Sequence, residues 1–289
     1  MHTRMSLFQS APEFVDVGTA RMAYRRCGSG DPLVLVHGWP LNGKTYRKVL
    51  PTLSERFTCY VPDLLGAGET AWTRRTDFSF RGQATALKAF VDRLGLSSYS
   101  ILAHDTGATI SRQLTLIDAA RVKRLALINT EMPFHRPSWV VPFQVMSHMP
   151  GSNATFRALL SSRSYRRAPI GLGNVFLDRS LLDGEFHELF IAPEIALRDR
   201  MEGQIRYLQG IDWKLVDEMS TLHATIEAPV VLIWGEEDRV FPIERARAMV
   251  SQFKQRAELI PIPKAALLPH EEQPQKVLEA VLPFLTKVG

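Results

Sequence analysis

The chain has 289 residues, of which 45% are hydrophobic and 22% charged, with a formal charge of +5. That length supports one large core with an insertion, and the composition excludes disordered, collagenous and disulfide-stapled classes. The basic residues are dispersed pairs such as Arg25-Arg26, Arg74-Arg75 and Arg166-Arg167, without a basic stripe interleaved with aromatics, so nucleic acid is not an expected partner.

In chain order, Phe14 to Val17 and Arg21 to Arg26 predict a hairpin turning at Gly18-Thr19. Pro32 to Val36 is a continuous apolar strand that ends in His37-Gly38-Trp39-Pro40. A helix is expected over Tyr46 to Glu55, then a strand over Phe57 to Val61 that ends in Pro62-Asp63. Ala84, Leu87, Phe90, Val91 and Leu94 give Phe80 to Leu94 a helical period. Tyr99 to Ala103 reads as a buried strand, followed by a helix through Ile110, Leu114 and Ile117 and a strand over Arg124 to Ile128. Apolar strands alternating with helices predict a parallel sheet covered on both faces.

The alternation stops after Asn129. From Pro133 to about Leu222 there are helical stretches, broken at Pro137, Pro142, Pro150, Pro169 and Gly171-Leu172-Gly173, but no clear buried strand. Sheet pattern returns with Pro229 to Trp234, a helix near Ile243 to Gln252, a strand over Ala257 to Ile262 and a last helix from Gln275 to Leu285. The expected domains are therefore an α/β core over residues 1–132 and 223–289, with a mostly parallel eight-stranded sheet, and a helical lid over residues 133–222. Trp139, Phe143, Met146, Met149, Phe156 and Phe176 in that lid point to a small apolar ligand.

Cys27 and Cys59 lack metal-ligand spacing and read as reduced core thiols. No metal and no cofactor are expected. Met1 to Glu13 has no apolar signal-like stretch, and no run approaches the ~18 apolar residues of a membrane span. The expectation is a soluble cytoplasmic protein, monomer or homodimer, with no membrane partner.

Between the Tyr99 strand and the helix that follows stands Ala103-His104-Asp105-Thr106-Gly107, small-x-Asp-x-Gly. This is the nucleophile-elbow pattern with Asp where Ser is commoner. Small neighbours are needed because side chains at Ala103 or Gly107 would collide with adjoining backbone. Such a turn lifts Asp105 above the sheet at a helix N-terminus, where partial positive charge favours an anion. A carboxylate there suits attack on carbon bearing a leaving group, and at an ordinary carboxyl pKa it is already ionised. The plainer alternative is that Asp105 only caps the helix.

With His37-Gly38-Trp39-Pro40, Pro62-Asp63-Leu64-Leu65-Gly66-Ala67-Gly68, His104-Asp105-Thr106-Gly107, Trp234-Gly235-Glu236-Glu237-Asp238 and His270-Glu271-Glu272-Gln273-Pro274 in this order, the chain resembles the α/β-hydrolase fold family over nearly its whole length. Asp at the elbow is similar to the epoxide hydrolase and haloalkane dehalogenase branch, whose members form an alkyl-enzyme ester and then hydrolyse it. The resemblance implies an oxyanion hole at the Trp39 and Thr106 amides. It implies an acid partner at Asp238 or Glu131. It also implies a base four residues before Glu271, where this chain has Leu267; His270, three residues later, is the remaining candidate for a catalytic base, in a register expected to turn it away from Asp105. Substrate-binding candidates are His37, Tyr165, Tyr207 and Leu267, the two tyrosines matching lid acids of epoxide hydrolases or else packed aromatics. Three functions stay open: a hydrolase with a displaced or missing base, a catalytically impaired ligand-binding protein, and a non-hydrolytic lyase or cyclase using the same pocket.

Overall fold

The computed structural model describes residues 8, 11–255 and 257–287. Its centre is one sheet in the order β1-β2-β4-β3-β6-β7-β8-β9. β1 (Glu13–Asp16) and β2 (Ala20–Cys27) form the antiparallel hairpin at one edge. β3 (Asp31–Val36), β4 (Phe57–Pro62), β6 (Tyr99–His104), β7 (Val122–Ile128), β8 (Val230–Gly235) and β9 (Glu258–Ile262) run parallel. β4, β6 and β8 are buried along their whole length, which is why their sequences are mostly apolar, with only Thr58, Ser100 and His104 strongly polar, rather than apolar at alternate positions.

The sheet has nine strands rather than eight. The extra one, β5 (Ala71–Trp72), pairs with β2 through Ala20↔Trp72 and Arg21↔Ala71. Two residues are too few to show a period, so only backbone pairing reveals it. The helix expected over Tyr46 to Glu55 is split into a 3₁₀ turn, Gly43–Lys48, and a short helix, Leu50–Leu53. Pro51 is the cause: it has no N–H to donate and disfavours helical backbone just before it. Cys27 and Cys59 face one another across β2 and β4, both as free thiols.

Two apolar clusters cover the two faces of the sheet. One joins Val34, Ile101, Leu127 and Trp234 to the helices Phe80–Arg93 and Thr106–Ile117. The other joins Leu35, Leu102 and Ile233 to Tyr46, Leu53 and the helix Pro274–Thr286. Among the described residues no helix is long and apolar enough to cross a membrane.

Between β7 and β8 the structured segments are helical, running from Val140–Ser147 to Trp213–Leu222. This insertion sits directly on the sheet body. A Cβ on Gly203 would fall 2.6 Å from the Gly66 carbonyl oxygen, and Trp39 Nε1 donates to the Gln204 carbonyl at 3.0 Å. At its root Arg136 pairs with Asp217 at 2.5 Å.

The register aligns the carboxyl ends of the parallel strands. Val36 is level with Ala103, His104 with Ile128, and Ile128 with Ile233. The next residues of each strand, His37 to Trp39, Asp105, Asn129 to Glu131 and Glu236 to Asp238, therefore share one edge beneath the insertion, the usual place for ligand chemistry in an open α/β sheet.

Candidate active site

Asp105 occupies the turn between β6 and the helix Thr106–Ile117, with φ 53° and ψ −134°. Such backbone costs a non-glycine residue on the order of 1–3 kcal/mol and persists only where the surroundings impose it. Here they do. The Asp105 N–H lies 2.9 Å from the Asn129 carbonyl and 3.1 Å from that of Ile128, and the Thr130 hydroxyl donates to the Asp105 carbonyl at 2.9 Å. Two glycines make room. A Cβ at Gly107 would stand 2.1 Å from the His37 carbonyl oxygen, and one at Gly38 would stand 2.4 Å from Asp105 Oδ2. Gly107→Ala drives a methyl into main chain that has no rotamer to yield. It should destabilise the fold by ~1–3 kcal/mol or more, read as a lower denaturation midpoint; an unchanged midpoint would contradict the close packing of this turn.

One oxygen of Asp105 is held and the other is not. Oδ2 accepts from the Trp39 amide at 3.0 Å and from the Thr106 hydroxyl at 3.3 Å, while the Trp39 amide also reaches Thr106 Oγ1 at 2.8 Å. The Thr106 amide favours the charged carboxylate as well. Burial, followed by the negative charge of Glu131, outweighs these donors and pushes the Asp105 carboxyl well above the ordinary range. An already ionised Asp105, expected from the usual pKa, is thus corrected by desolvation.

Tyr207, from the helix Arg198–Gln209, is fully buried and its hydroxyl meets Thr106 Oγ1 at 2.9 Å. A side chain of the insertion is therefore one hydrogen bond away from the group that touches Asp105. Tyr165 is half-buried on the helix Arg163–Arg167, and its hydroxyl makes no hydrogen bond among the described residues.

Glu131 Oε2 accepts from the Thr109 hydroxyl at 2.6 Å and the Thr130 hydroxyl at 3.1 Å. Arg112, fully buried, donates to Thr109 Oγ1, Thr130 Oγ1 and the Glu131 carbonyl at 2.7, 3.0 and 2.9 Å. Burial raises the Glu131 carboxyl, with the hydroxyls and Arg112 opposing. Burial also lowers Arg112 to about 10, which leaves it charged at neutral pH. Arg112 Nη1 lies 3.0 Å from His223 Nε2, whose ring is pushed down to about 3 by burial and by that guanidinium, so the neutral ring accepts. Sequence reading missed Thr109, Arg112 and Thr130. The one available signal was a Thr and an Arg three residues apart on the helix face that follows Asp105.

Asp238 Oδ2 accepts from Asn129 Nδ2 at 2.6 Å and Oδ1 from the Val240 amide at 2.7 Å. Asn129, also missed, has φ 27° and accepts from the Gly235 amide at 3.0 Å. Burial pushes Asp238 up to about 7 against these donors. Among the described residues no imidazole hydrogen-bonds to either Asp238 or Glu131.

His270 as a catalytic base is corrected by its surroundings. Its Nε2 lies 2.8 Å from Thr45 Oγ1, its ring stacks on Tyr46 at 5.5 Å and meets His104 edge-on at 4.7 Å. The neighbouring Glu271 is anchored by ion pairs to Arg47 and Lys48, which hold this short helix toward the Gly43–Lys48 turn. His37 as a substrate-binding residue is corrected too. The ring is fully buried, with Nδ1 donating to the Gly38 carbonyl and Nε2 accepting from the Leu64 amide, both at 2.9 Å. Its two nitrogens hold loops together and have nothing left for a ligand. Leu267 is buried, and its carbonyl accepts from His104 Nε2 at 2.9 Å. The preceding Ala266 carbonyl lies 3.4 Å from the Asn129 amide that holds Asp238.

Beside the Trp39 ring lies a small cavity of about 30 Å³, walled by Phe143, Phe156, Phe190, Met201 and Leu208 among others. Its walls are apolar, as those of small-molecule sites are. Trp139 stacks on Trp39 at 6.5 Å between ring centres, whereas Met149 is 58% exposed and faces away from any such wall.

Residues 31–274 match the family model described as alpha/beta hydrolase fold. The chain is 28% identical over 282 residues to the soluble epoxide hydrolase of Corynebacterium sp. strain C12, covering 91% of this chain and 93% of that protein. It is 25% identical over 279 residues to haloalkane dehalogenase 2 of Mycobacterium tuberculosis, covering 96% and 95%. A Shewanella oneidensis relative, cis-3-alkyl-4-alkyloxetan-2-one decarboxylase, is 26% identical over 237 residues, covering 76% and 71%. Among solved structures, an alpha/beta hydrolase fold protein from Burkholderia ambifaria superposes with a TM-score of 0.77 at 24% identity, covering 94% and 99%.

Proposed function

Because this chain belongs to the alpha/beta hydrolase fold family, we propose that it captures an electrophilic carbon of a small apolar molecule on Asp105, as an alkyl-enzyme ester. The observation that carries this reading is the asymmetric hold on Asp105: Oδ2 pinned by the Trp39 amide and the Thr106 hydroxyl, at a strained turn that fixes the carboxylate. Pinning one oxygen aims the other, and a fixed nucleophile needs little reorganisation to attack. The C–O bond to Asp105 forms as the carbon–halogen or epoxide C–O bond breaks, and the leaving group takes the electron pair. For an epoxide the alkoxide needs a proton, and Tyr207, linked to Asp105 through Thr106, is the hydroxyl of the insertion best placed to supply it. The insertion acts as a lid over this chemistry.

Release by water needs a base. Leu267 stands where the family places one, His270 faces Thr45, and among the described residues neither Asp238 nor Glu131 has an imidazole to orient. Two fates follow. In a hydrolase the ester accumulates. In a lyase it leaves without water, a reading favoured by that same missing base and by the relative named as an oxetanone decarboxylase. On a four-membered lactone, Asp105 attacks the ring carbon that bears oxygen, the C–O bond breaks and a carboxylate is freed. Loss of carbon dioxide then supplies the electron pair of a new C=C bond, and Asp105 departs as carboxylate.

Intact-mass measurement after incubation with epoxides, haloalkanes and a 3,4-dialkyl oxetan-2-one tests both. A persistent adduct with the first two supports capture; alkene and carbon dioxide from the third supports the lyase. No adduct and no product from any of them leaves only ligand binding. Capture should also keep rising with pH beyond about 5, where an ordinary aspartate near 3.9 is already fully ionised, because only the ionised Asp105 attacks and its pKa is raised. A rate that is flat from pH 5 to 8 would count against the buried, proton-retaining carboxyl.

A further inference from the structure

Cys27 and Cys59 are the only cysteines of the chain, and the fold sets them opposite one another. Cys27 is the last residue of β2, Cys59 stands in the middle of β4, and the antiparallel register pairs them directly. Side chains of directly opposed residues leave the sheet on the same face. Opposed Cα atoms of an antiparallel pair lie about 4.5 or about 5.5 Å apart, and both spacings fall within the roughly 4.4–6.8 Å that a disulfide spans. The backbone next to Cys27 is held close. A Cβ on Gly28 would stand 2.3 Å from the carbonyl oxygens of Ser54 and Phe57, so the end of β2 is pressed against the segment that leads into β4. Both sulfurs are free thiols.

The two thiols are unequal. Cys27 is half-buried at the rim of an apolar cluster, whereas Cys59 is fully buried within it. The Cys59 thiol beside it favours the Cys27 thiolate by more than burial disfavours it, while the Cys27 sulfur and burial together push Cys59 up. The thiolate is the nucleophile, so Cys27 reacts first. We propose that Cys27 and Cys59 form an oxidative modification site, in which a hydroperoxide converts the pair into a reversible cross-strand disulfide. The Cys27 thiolate attacks one peroxide oxygen, the O–O bond breaks, and the displaced oxygen takes a proton and leaves as water or alcohol. Cys27 is then a sulfenic acid. The Cys59 sulfur attacks that sulfur, its proton passes to the departing hydroxyl, and water leaves as the S–S bond forms. The two thiols lose two electrons between them and the peroxide gains them. The new bond closes the chain from Cys27 to Cys59 into a loop that contains Trp39, and ties the antiparallel hairpin covalently to the parallel strands. Directly opposed strand residues hold their Cβ atoms slightly farther apart than a relaxed disulfide prefers, so the bond is strained and readily reduced.

The test needs no substrate, so it does not depend on Asp105. The full chain, folded and reduced, is treated with hydrogen peroxide or cumene hydroperoxide. Free thiols are then capped with iodoacetamide, and intact mass and peptide maps are recorded. The treated protein should take up no cap, lose the mass of two hydrogens and yield a linked Cys27–Cys59 peptide. Dithiothreitol should return both thiols to capping. Cys59→Ser removes the second sulfur, and its Cys27 sulfenic acid should be trapped by dimedone. Cys27→Ser should label with dimedone at Cys59 about tenfold less or weaker still, because the thiolate that starts the reaction is gone. Two capped thiols after peroxide, linkage that forms only once the chain is denatured, or a disulfide between two chains would each overturn the proposal. So would a sulfinic acid at Cys27 without linkage, or equal dimedone labelling of the two variants. The unsubstituted chain alone decides whether the bond forms, so the proposal stays testable if either variant folds poorly.

Discussion

Asp105→Asn should abolish the covalent adduct, lowering capture of any epoxide or haloalkane by about 10⁴-fold or more, the scale on which enzymes lose activity when a nucleophile is removed. The change is nearly isosteric, and asparagine, with the same Cβ and branching as aspartate, meets the φ 53°, ψ −134° backbone of position 105 on the same steric terms. Its amide oxygen still accepts from the Trp39 N–H. The variant should therefore fold, and loss of the adduct would be chemical rather than structural. Intact mass reads the result directly, and peptide mapping of the parent should place the modification on Asp105. An adduct of undiminished yield on Asp105→Asn would move the nucleophile elsewhere; Glu131, the carboxylate whose charge already acts on Asp105, would be the first place to look.

Leu267→His should convert a stalled ester into a turning-over one, by roughly 10²–10⁴-fold if general-base assistance is what is missing. The loop supports this. Asp238 lies buried next to the Asn129–Ala266 contact, one residue before position 267. Its carboxyl, at about 7, would drop once an imidazolium could form beside it. The Leu267 carbonyl is fixed by His104, so the substitution changes the side chain without freeing the loop. Introducing a ring nitrogen into an apolar wall costs on the order of 1–3 kcal/mol if it finds no partner, and Leu267→Asn serves as the polar control. Turnover gained by His and not by Asn identifies the base as the missing part. A folded Leu267→His protein that captures substrate and releases it no faster would favour the lyase reading, in which water takes no part.

The contrast between what could and could not be read in the sequence has a physical pattern. β3, β4, β6, β7 and β8 are legible because stretches buried on both faces of the sheet must be mainly apolar. The sharp turn at Asp105 is legible because only small residues fit around it, as Gly107 and Gly38 illustrate. β5 is not legible, since its two residues are recruited by the edge of β2. The environment of Glu131 is hidden because it is assembled from Thr109 and Arg112 on the helix Thr106–Ile117, together with the adjoining Thr130. The direction of the His270 ring is hidden for the same reason: Thr45 and Tyr46, more than 200 residues earlier, decide it. Glu194 and Gln204 look like the polar side of ordinary helices until the fold buries them. Periodicity reports which face is covered, whereas the partner of a buried polar atom depends on contacts that no local pattern records.

The seating of the insertion on the sheet body has a consequence in time. Backbone meets backbone where Gly203 approaches Gly66, and the Trp39 ring is tied to the Gln204 carbonyl at the cavity wall. On the proposed reading of the insertion as a lid, a molecule bound for the space between Trp39 and Glu194 must wait for these surfaces to part. Its arrival is timed by how often they separate, so adding more of it stops hastening entry once opening is the slow event. The same contacts delay departure. A weak ligand can therefore have a long residence time, and its apparent affinity is reduced by the fraction of molecules that are open at any moment.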